Sequence, residues 1–433
     1  MITNSIRVSL LIGRIIGLLV ASMLLFLFYP KLVVAGGVVG DGTPGSCTEA
    51  AFDAARAGGG AVTFDCGGAK TINLTFYKEI DTDTIIDGSG LITLSSSNTH
   101  LFQVFFGRML TLQNITLANS GSSVTGAVEN FGTTTIINAQ LTNNHSTTDG
   151  GAILNHGTLN LTYTTLSNNK ATDNGGGIYN NGGTITILNS RLLGNVISGT
   201  TGNGGAIANQ FGTLAVEKST FHNNTSSTGG AIYVNTGTSA IITATTLSNN
   251  TAATNGGGIY SQGTLLLTNA TLSGNRATSN GGGGIFQDVG NATLTFVTVA
   301  SNTAAIFGGG VYKQGAGTMT LRNTLLANNT VGNCDGVVGS AGHNLSSDTN
   351  CAFFVQTGDQ QSVALPLAAL AGNSGPTLTH VPSTGNPAID GGECVAGIDT
   401  DQRGLGRPYG AACDVGAVEV RPFLVYLPVV IKP

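Results

Sequence analysis

A short sequence motif recurs eight times between about residues 124 and 330, and this repeat constrains the fold more than any other feature of the chain. The motif is Gly-Gly-[Ala/Gly]-[Ile/Val], with Thr125 in place of the first Gly in the weakest copy. Successive copies lie 25 to 29 residues apart. The copies end at Val128, Ile153, Ile178, Ile207, Ile232, Ile259, Ile285 and Val311.

Three further positions keep the register of this motif. An Asn follows each copy, an apolar residue stands three positions before that Asn, and a second apolar residue stands five positions earlier. The Asn residues are Asn144, Asn169, Asn195, Asn224, Asn250, Asn275, Asn302 and Asn329. The nearer apolar residues are Leu141, Leu166, Leu192, Phe221, Leu247, Leu272, Val299 and Leu326. The farther ones are Ile136, Leu161, Ile187, Val216, Ile242, Leu267, Leu294 and Leu321. Columns that keep one register over eight copies are typical of a stacked repeat protein.

The period and its local pattern predict an all-β fold. Leu159 and Leu161 alternate with polar residues, which is the periodicity of a strand. Thr, Asn and Gly interrupt any helical stretch, which excludes a helical repeat. A propeller blade needs about 40–45 residues, which is longer than one repeat, so a β-propeller is also excluded. One repeat instead suits one coil of a parallel β-helix. We therefore predict a solenoid of about 25–27 residues per coil and roughly 10–11 coils.

In such a solenoid each column that recurs from coil to coil has a physical role. The Gly pairs lie at sharp bends, where Gly adopts positive φ without a Cβ clash. The apolar columns point inward and stack into a core. The repeated Asn is predicted to stack as an amide ladder at a turn, where each side chain bonds to its copies in the adjacent coils. A binding stripe is the alternative interpretation of the same column.

The ends of the repeat region predict caps. Ser46-Cys47-Thr48-Glu49 has the pattern of a capping box and precedes an Ala-rich run that stops at Gly58, which predicts a short helix over 47–57. The tail is predicted to add a final strand to the C-terminal cap or to act as a sorting or docking tail. The predicted units are an N-terminal cap at 36–70, a β-helix at 71–330, a compact disulfide-containing C-terminal cap at 331–420 and an apolar tail at 421–433.

Two features predict export from the cytoplasm. Residues 1–35 have a basic start with Arg7 and Arg14, an apolar run and small residues before Gly36, which is typical of a cleaved signal peptide. A retained membrane anchor is the alternative. The six cysteines lie at the two ends of the chain, and disulfides there suit an oxidising compartment. Six cysteines allow 15 connectivities, and proximity in sequence favours three sequential pairs. A zinc site is the less favoured alternative. The pairs are Cys47–Cys66, Cys334–Cys351 and Cys394–Cys413.

Charge excludes one class of partner. The chain has 17 basic and 22 acidic residues, a net charge of −5, and no basic run. A nucleic-acid partner is therefore not expected. A membrane is expected only through the export signal or surface anchoring, and the oligomeric state cannot be predicted.

Two groups of segments carry a resemblance to known bacterial families. The first is found in the repeats: Phe221-His222-Asn223-Asn224 and Gly229-Gly230-Ala231-Ile232. These repeats resemble those of polymorphic outer-membrane proteins, and the overall organisation is similar to the pectate-lyase-like right-handed β-helix superfamily. The second group lies near the C-terminus: Gly342-His343-Asn344-Leu345, Asn386-Pro387-Ala388-Ile389-Asp390-Gly391-Gly392, Asp401-Gln402-Arg403-Gly404 and Cys413-Asp414-Val415-Gly416-Ala417-Val418-Glu419. These segments resemble a choice-of-anchor Q domain. The resemblance implies a right-handed β-helix and export, with no defined activity.

Acidic residues are rare in the repeat, so few can form a catalytic site. Asp149 and Asp173 are predicted to lie on adjacent coils beside the Gly turns, and Lys170 is close in sequence. Two close carboxylates suit a glycosidase, and carboxylates with a basic residue suit a lyase. Solvated loop charges are the favoured alternative.

A second acidic group suggests a cation site. Glu79, Asp81 and Asp83 alternate along a predicted strand, and Ca²⁺ prefers several oxygen ligands. A solvated strand face followed by an Asp87-Gly88 turn is the favoured alternative, and no other cofactor is predicted. Asp399, Asp401, Arg403 and Arg407 are interpreted as a buried ion-pair network within the C-terminal module.

These observations leave two functional hypotheses. The favoured one is a non-enzymatic, secreted or cell-surface β-helix scaffold that acts in adhesion or contacts extracellular polysaccharide or cell-envelope components. The alternative is a polysaccharide-active enzyme, either a lyase or a glycoside hydrolase.

Overall fold

The computed structural model describes residues 36–421, most of which wind into a right-handed parallel β-helix, as predicted. The predicted signal peptide at 1–35 and residues 422–433 of the predicted tail lie outside the described residues. The rod has about 12 turns, slightly more than the 10–11 predicted. The extra turns arise because strands before residue 71 and after residue 330 also pair with the neighbouring coils.

Four rows of strands run along the rod, each built from equivalent strands of successive coils. We name the rows after an inward residue: the Ile136, Leu141, Ser146 and Ile153 rows. The Ile136 row, with the paired first strand Val38–Val39, comprises Gly60–Phe64, Thr84–Ser95, Met109–Ala118, Thr133–Ile137, Thr158–Thr162, Ile178–Leu188, Ile207–Glu217, Ser239–Thr243, Thr264–Thr268, Asn291–Thr295, Thr318–Arg322 and Val338–Ser340. The Leu141 row comprises Lys70–Asn73, the second halves of Thr84–Ser95 and Met109–Ala118, then Gln140–Thr142, Thr165–Ser167, Arg191–Leu193, Thr220–His222, Thr246–Ser248, Thr271–Ser273, Thr298–Ala300, Leu325–Ala327 and Leu345–Ser346.

The other two rows complete the cross-section. The Ser146 row is a sheet of eight two-residue strands. These are Gly121–Ser122, His145–Ser146, Lys170–Ala171, Val196–Ile197, Thr225–Ser226, Thr251–Ala252, Arg276–Ala277 and Thr303–Ala304. The Ile153 row comprises Lys78–Ile80, Phe102–Val104, Val128–Asn130, Ile153–Asn155, the first parts of Ile178–Leu188 and Ile207–Glu217, then Ile232–Val234, Ile259–Ser261, Ile285–Gln287, Val311–Lys313 and Cys334–Gly336. A separate antiparallel pair consists of Ala371–Gly372 and Leu378–Thr379.

The inward side chains of these rows stack into one continuous apolar core. In the Leu141 row, Leu166 pairs with Leu192, and Leu192 pairs with Phe221. All three side chains are 0% exposed. Like residues therefore lie above one another inside the cylinder, which is why an apolar residue is needed at the same position of every coil.

Sharp corners separate the rows, and residues with left-handed backbone form them. Asn143 has φ +55° and Asn223 has φ +56°, while Gly150 has φ +63° at the bend before the Ile153 row. Asn and Gly tolerate this conformation better than other residues. The first Asn of each Asn-Asn pair thus makes the corner, and the second Asn turns inward.

The inward Asn residues form the ladder that the sequence predicts. The Nδ2 of each donates to the Oδ1 of the Asn in the next coil at 2.9–3.0 Å from Asn144 through to Asn329. Seven of the eight side chains are 0% exposed and Asn329 is 7% exposed. Each Oδ1 also accepts a backbone N–H from the preceding coil, as Asn224 does from Asn195 at 2.9 Å. The ladder thus satisfies buried backbone groups at a corner where the strands end.

A second, shorter ladder was not predicted. Nδ2 of Asn130 donates to Asn155, Asn155 to Asn180 and Asn180 to Asn209, at 2.7–2.8 Å. All four side chains are 0% exposed. The signal for this ladder is an Asn two positions after the end of the Gly motif, and it is absent from later copies such as the one ending at Ile232.

The N-terminal helix spans Glu49–Arg56 and packs on the first coil. The Phe52 ring is 0% exposed and contacts the rings of Phe64 and Phe102, with centroids 6.0 and 6.5 Å away. This apolar contact covers the core of the first turn. Among residues 36–421, no helix is long and apolar enough to cross a membrane.

The predicted capping box of this helix is wrong by two residues. Thr48 is the N-cap, and its side chain accepts the Ala51 N–H at 3.2 Å. Ser46 instead bonds within the preceding loop. Glu49 does not close a box, because its carboxylate binds Lys78 Nζ at 2.7 Å. Burial acts to raise the pKa of Glu49, but the bonds from Lys78 and Thr75 outweigh it and hold the pKa at about 2.

The C-terminal region differs from the predicted terminal cap at 331–420. Its first strands extend the β-helix, and the chain then turns back along the outer side of the Leu141 row. Gln402 is 0% exposed and accepts a bond from Thr271 at 2.6 Å, and His380 contacts Ser273 at 2.9 Å. This return segment thus covers the side of the rod. The sequence did not predict this packing, because the repeat period carries no information on which side of the rod a non-repeating segment packs against.

Buried ion pairs and disulfides hold the return segment together. Arg407 and Glu419 form a salt bridge at 2.9 Å with both side chains 0% exposed, and Arg403 binds Asp401 at 2.7 Å. Asp399 contributes only its backbone carbonyl, to Arg407 N. The three disulfides join sequential cysteines: Cys47–Cys66, Cys334–Cys351 and Cys394–Cys413.

We expect Asn224→Ala to destabilise the rod. The change removes the partner of the Asn195 amide and of the Leu192 carbonyl in a buried corner. The expected loss in the free energy of unfolding is about 2–4 kcal/mol, measured by urea denaturation. Asn160→Ala, at a partly exposed strand position, is the matched control and should cost less than about 0.5 kcal/mol. Equal losses in the two variants would contradict the structural role of the ladder.

We expect stability to depend on the protonation of His100. This ring is 5% exposed, stacks on Tyr77 at 4.5 Å, and has an Nε2 without a partner among the described residues. Burial lowers its pKa from 6.5 to about 4. Because the unfolded chain binds the proton first, this contribution is complete above pH 6.5 and is lost as the pH falls toward 4.

The free energy of unfolding should therefore fall by on the order of 3 kcal/mol over that interval through His100 alone. Thermal unfolding of His100→Phe as a function of pH should show a flatter acid limb than that of the wild type. His145→Phe, which changes an exposed ring, should keep the wild-type slope. An unchanged slope in His100→Phe would show that this residue is not the titrating group.

Candidate functional site

Asp149 and Asp173 do not stack on one another. Asp149 lies over Asn174, whose Nδ2 donates to Asp149 Oδ1 at 2.9 Å, and Asn174 in turn accepts from Asn203 Nδ2 at 3.0 Å. The two acids are 24 residues apart, whereas the coil between Ile153 and Ile178 is 25 residues long. Asp173 is therefore displaced by one position, and Asp149 ends a short polar ladder.

The two carboxylates still affect each other. Burial raises the pKa of Asp149, and the charge of Asp173 raises it further, while the Asn174 amide acts in the opposite direction. Burial and the charge of Asp149 together raise the pKa of Tyr179 to about 12. Lys170 is exposed in the Ser146 row, and among residues 36–421 no ion pair joins it to either acid. The structure thus brings the predicted acids near each other but not the predicted base.

The predicted calcium ligands are not brought together. The strand that carries Glu79 ends at Ile80, so Asp81 and Asp83 do not alternate with it on one face. Asp83 Oδ1 accepts the Met109 N–H at 3.0 Å. Within residues 36–421, no group of three or more His, Cys, Asp or Glu residues has the arrangement of a metal site. As described, Glu79, Asp81 and Asp83 are therefore not arranged as a single calcium site.

Another face of the rod carries two columns of outward residues, one largely buried and mostly aromatic, the other partly exposed and mostly polar. In the Ile153 row, the residues on either side of the inner Asn position point outward, because side chains alternate along a strand. They form two adjacent rows on one face of the rod. The Tyr row contains Leu154, Tyr179, Ala208, Tyr233, Tyr260, Phe286 and Tyr312. The corner row contains Phe105, Phe131, His156, Asn181, Gln210, Asn235, Gln262, Asp288 and Gln314.

Aromatic stacking orders the Tyr row. Tyr233 and Tyr260 are parallel with centroids 5.5 Å apart, Tyr260 and Phe286 lie 5.1 Å apart, and Tyr312 meets Phe286 edge-on at 4.9 Å. These four rings form an apolar cluster separate from the main core. The three Tyr residues are only 8–9% exposed and Phe286 is 1% exposed, so these rings cover one another and little of them reaches the surface.

The corner row binds those hydroxyl groups. Tyr260 donates to Asp288 Oδ2 at 3.0 Å, and Gln262 Nε2 donates to the same oxygen and to the Tyr260 hydroxyl at 3.1 Å each. Tyr233 donates to Gln262 Oε1 at 3.1 Å. Burial raises the pKa of Tyr260, and the bond to Asp288 raises it further. The phenol therefore stays protonated at neutral pH and holds the amide and carboxylate in fixed positions.

This network is positioned to bind hydroxyl groups, and sequence reasoning did not find it. Gln262 and Asp288 are partly exposed and Gln314 is exposed. Amide and carboxylate groups with fixed orientation bind polar ligands without losing much side-chain entropy. The available signal was an aromatic residue directly after the end of the Gly motif, as in Ile232-Tyr233 and Ile259-Tyr260, with polar residues two positions later.

Comparison with known proteins agrees with this architecture. A family model described as the right handed beta helix region matches residues 204–359. A model of the Chlamydia polymorphic membrane protein repeat matches residues 163–181. No curated protein and no solved structure gave a significant match. The chain is thus similar to right-handed β-helix proteins and carries a repeat of the polymorphic membrane protein kind.

Proposed function

We propose that this protein is a secreted or cell-surface scaffold that contacts extracellular carbohydrate or cell-envelope components without turning them over. The observation that carries the proposal is the band formed by the Tyr and corner rows. It repeats hydrogen-bonding groups at the coil spacing of ~4.8 Å along the rod, so it can bind an extended partner at many points. Weak contacts repeated along one partner add up to useful affinity.

Two further observations support exposure outside the cytoplasm. The three disulfides are typical of an oxidising compartment. The match to a polymorphic membrane protein repeat supports a surface setting. We further propose that the C-terminal segments form a choice-of-anchor Q domain, which they resemble. The return segment would then attach the rod to the envelope. The buried pair Arg407–Glu419 helps to hold this segment in place against the rod.

A polysaccharide-active enzyme is the second candidate. Asp149 favours it, because a carboxyl group with a raised pKa beside the second carboxylate of Asp173 resembles a general acid. The bond from Asn174 weighs against it, since that bond gives Asp149 a place in a ladder. A panel of pectin, polygalacturonate, cellulose, chitin and peptidoglycan separates the two candidates when binding and product release are both measured.

We expect binding without turnover, and we expect Asp149→Asn/Asp173→Asn to bind as the wild type does. The double variant removes both charges but keeps groups of the same shape. Gln262→Ala/Asp288→Ala, on the corner row, should weaken binding by roughly 5-fold or more through lost hydrogen bonds. Pull-down and calorimetry measure binding, and reducing-end and unsaturated-product assays measure turnover. Loss of binding in the Asp149/Asp173 variant would contradict the proposal, and turnover that this variant abolishes would establish the enzyme instead.

A further inference from the structure

The N-terminal part of the corner row differs chemically from the rest. An open depression of about 800 Å³ lies there, between the loop at Phe105 and Phe106 and the turns of the next two coils. Its walls include the rings of Phe131 and His156, which stack in parallel with centroids 4.7 Å apart. Phe106 is 91% exposed. Phe106 is exposed and Phe131 and His156 are partly exposed, and an aromatic group of this kind at the surface is a candidate contact surface.

The floor of the depression is bare backbone. Gly132 and Gly157 form it, and successive coils approach so closely that a Cβ on Gly157 would lie 2.0 Å from the Gly132 carbonyl oxygen. A Cβ on Gly132 would lie 2.3 Å from the carbonyl oxygen of Arg108. No side chain can therefore replace either glycine without moving the coils apart. The space beside the rings stays open as a consequence of coil packing.

The lining indicates a neutral ligand. Among the described residues that line the depression, none is Asp, Glu, Lys or Arg. The ring nitrogens of His156 have no hydrogen-bond partner within residues 36–421, and the ring is partly exposed. One face of Phe131 is covered by His156, and the ring also borders the depression. Aromatic groups together with a few unpaired polar atoms are the usual lining of a ligand site.

We propose that this depression binds one end of a neutral, hydroxyl-rich glycan chain, with a hexose or N-acetylhexosamine unit packed on Phe106 and Phe131. This inference rests on the proposed carbohydrate-contacting function and names the ligand class and the anchoring subsite. The apolar C–H face of a sugar ring packs on an aromatic ring, and its hydroxyl edge meets His156. The absence of charge in the lining disfavours an acidic glycan.

Continuity with the corner row sets the direction of the chain. Beyond His156, the same row continues through Asn181, Gln210 and Asn235, all partly exposed. A glycan anchored at Phe131 and laid along the rod axis would meet one amide per coil, at a spacing comparable to the length of one sugar unit. The aromatic end thus anchors the chain, and the amides bind its hydroxyl groups.

Calorimetric titration with chitohexaose, cellohexaose and polygalacturonate tests the inference. The wild type should bind at least one neutral hexasaccharide more tightly than polygalacturonate. Phe106→Ala/Phe131→Ala should weaken that binding by about 10-fold, because two aromatic contacts are lost. Phe353→Ala, at a 47% exposed ring outside the corner row, is the matched control and should bind as the wild type does. Thermal unfolding checks that the variants fold, and Phe106→Ala alone serves as the test if the double variant does not.

The outcomes separate this subsite from the broader function. If the double variant retains neutral-glycan binding, the proposed subsite is wrong but the scaffold function is not contradicted. The same holds if the wild type binds only polygalacturonate. A wild type that binds none of these glycans and none of the wider panel would overturn both. A concentration-dependent dimer that Phe106→Ala abolishes, seen by light scattering, would show that a second copy covers the depression.

Discussion

Hydrogen bonding between successive coils governs the rest of this structure. Every strand of the β-helix pairs in parallel with the equivalent strand of the next coil, so a residue at one position lies directly above its copies. A side chain that points inward in one coil must do so in all of them. The apolar core, the Asn ladders and the outer Tyr row are consequences of this single condition, which converts a sequence period into columns in space.

The same condition explains how much of the fold the sequence predicts. The columns that contain Leu166 and Asn224 could be predicted from the sequence, because each is repeated in every coil and each is buried for a simple reason. Residues outside the repeated columns are harder to place. Asp149 and Asp173 were predicted to lie near each other on adjacent coils, yet they are 24 residues apart in a coil of 25 residues, so Asn174 lies above Asp149 instead. A displacement of one residue is enough to change which side chains meet.

Segments without a period were predicted least well. The N-cap moved from Ser46 to Thr48 because Ser46 bonds within its own loop and Lys78 attracts Glu49, a residue distant in sequence. The packing of Gln402 on Thr271 spans 131 positions and follows no local rule. The corner row was missed for a different reason: its residues vary in chemistry from coil to coil, so no single residue type identifies the column.

The direction of the Asn ladder has a consequence for how such a chain can change its size. Every amide donates toward the C-terminal neighbour and accepts from the N-terminal one, so each coil presents the same donor on one side and the same acceptor on the other. Both ends are closed by other groups: Ser120 donates to Asn144, and Asn333 accepts from Asn329. An additional coil inserted anywhere between them would find complementary partners above and below. Duplication or deletion of whole coils therefore leaves the hydrogen bonds at both ends of the ladder intact. The number of coils can thus change in evolution while the architecture stays the same.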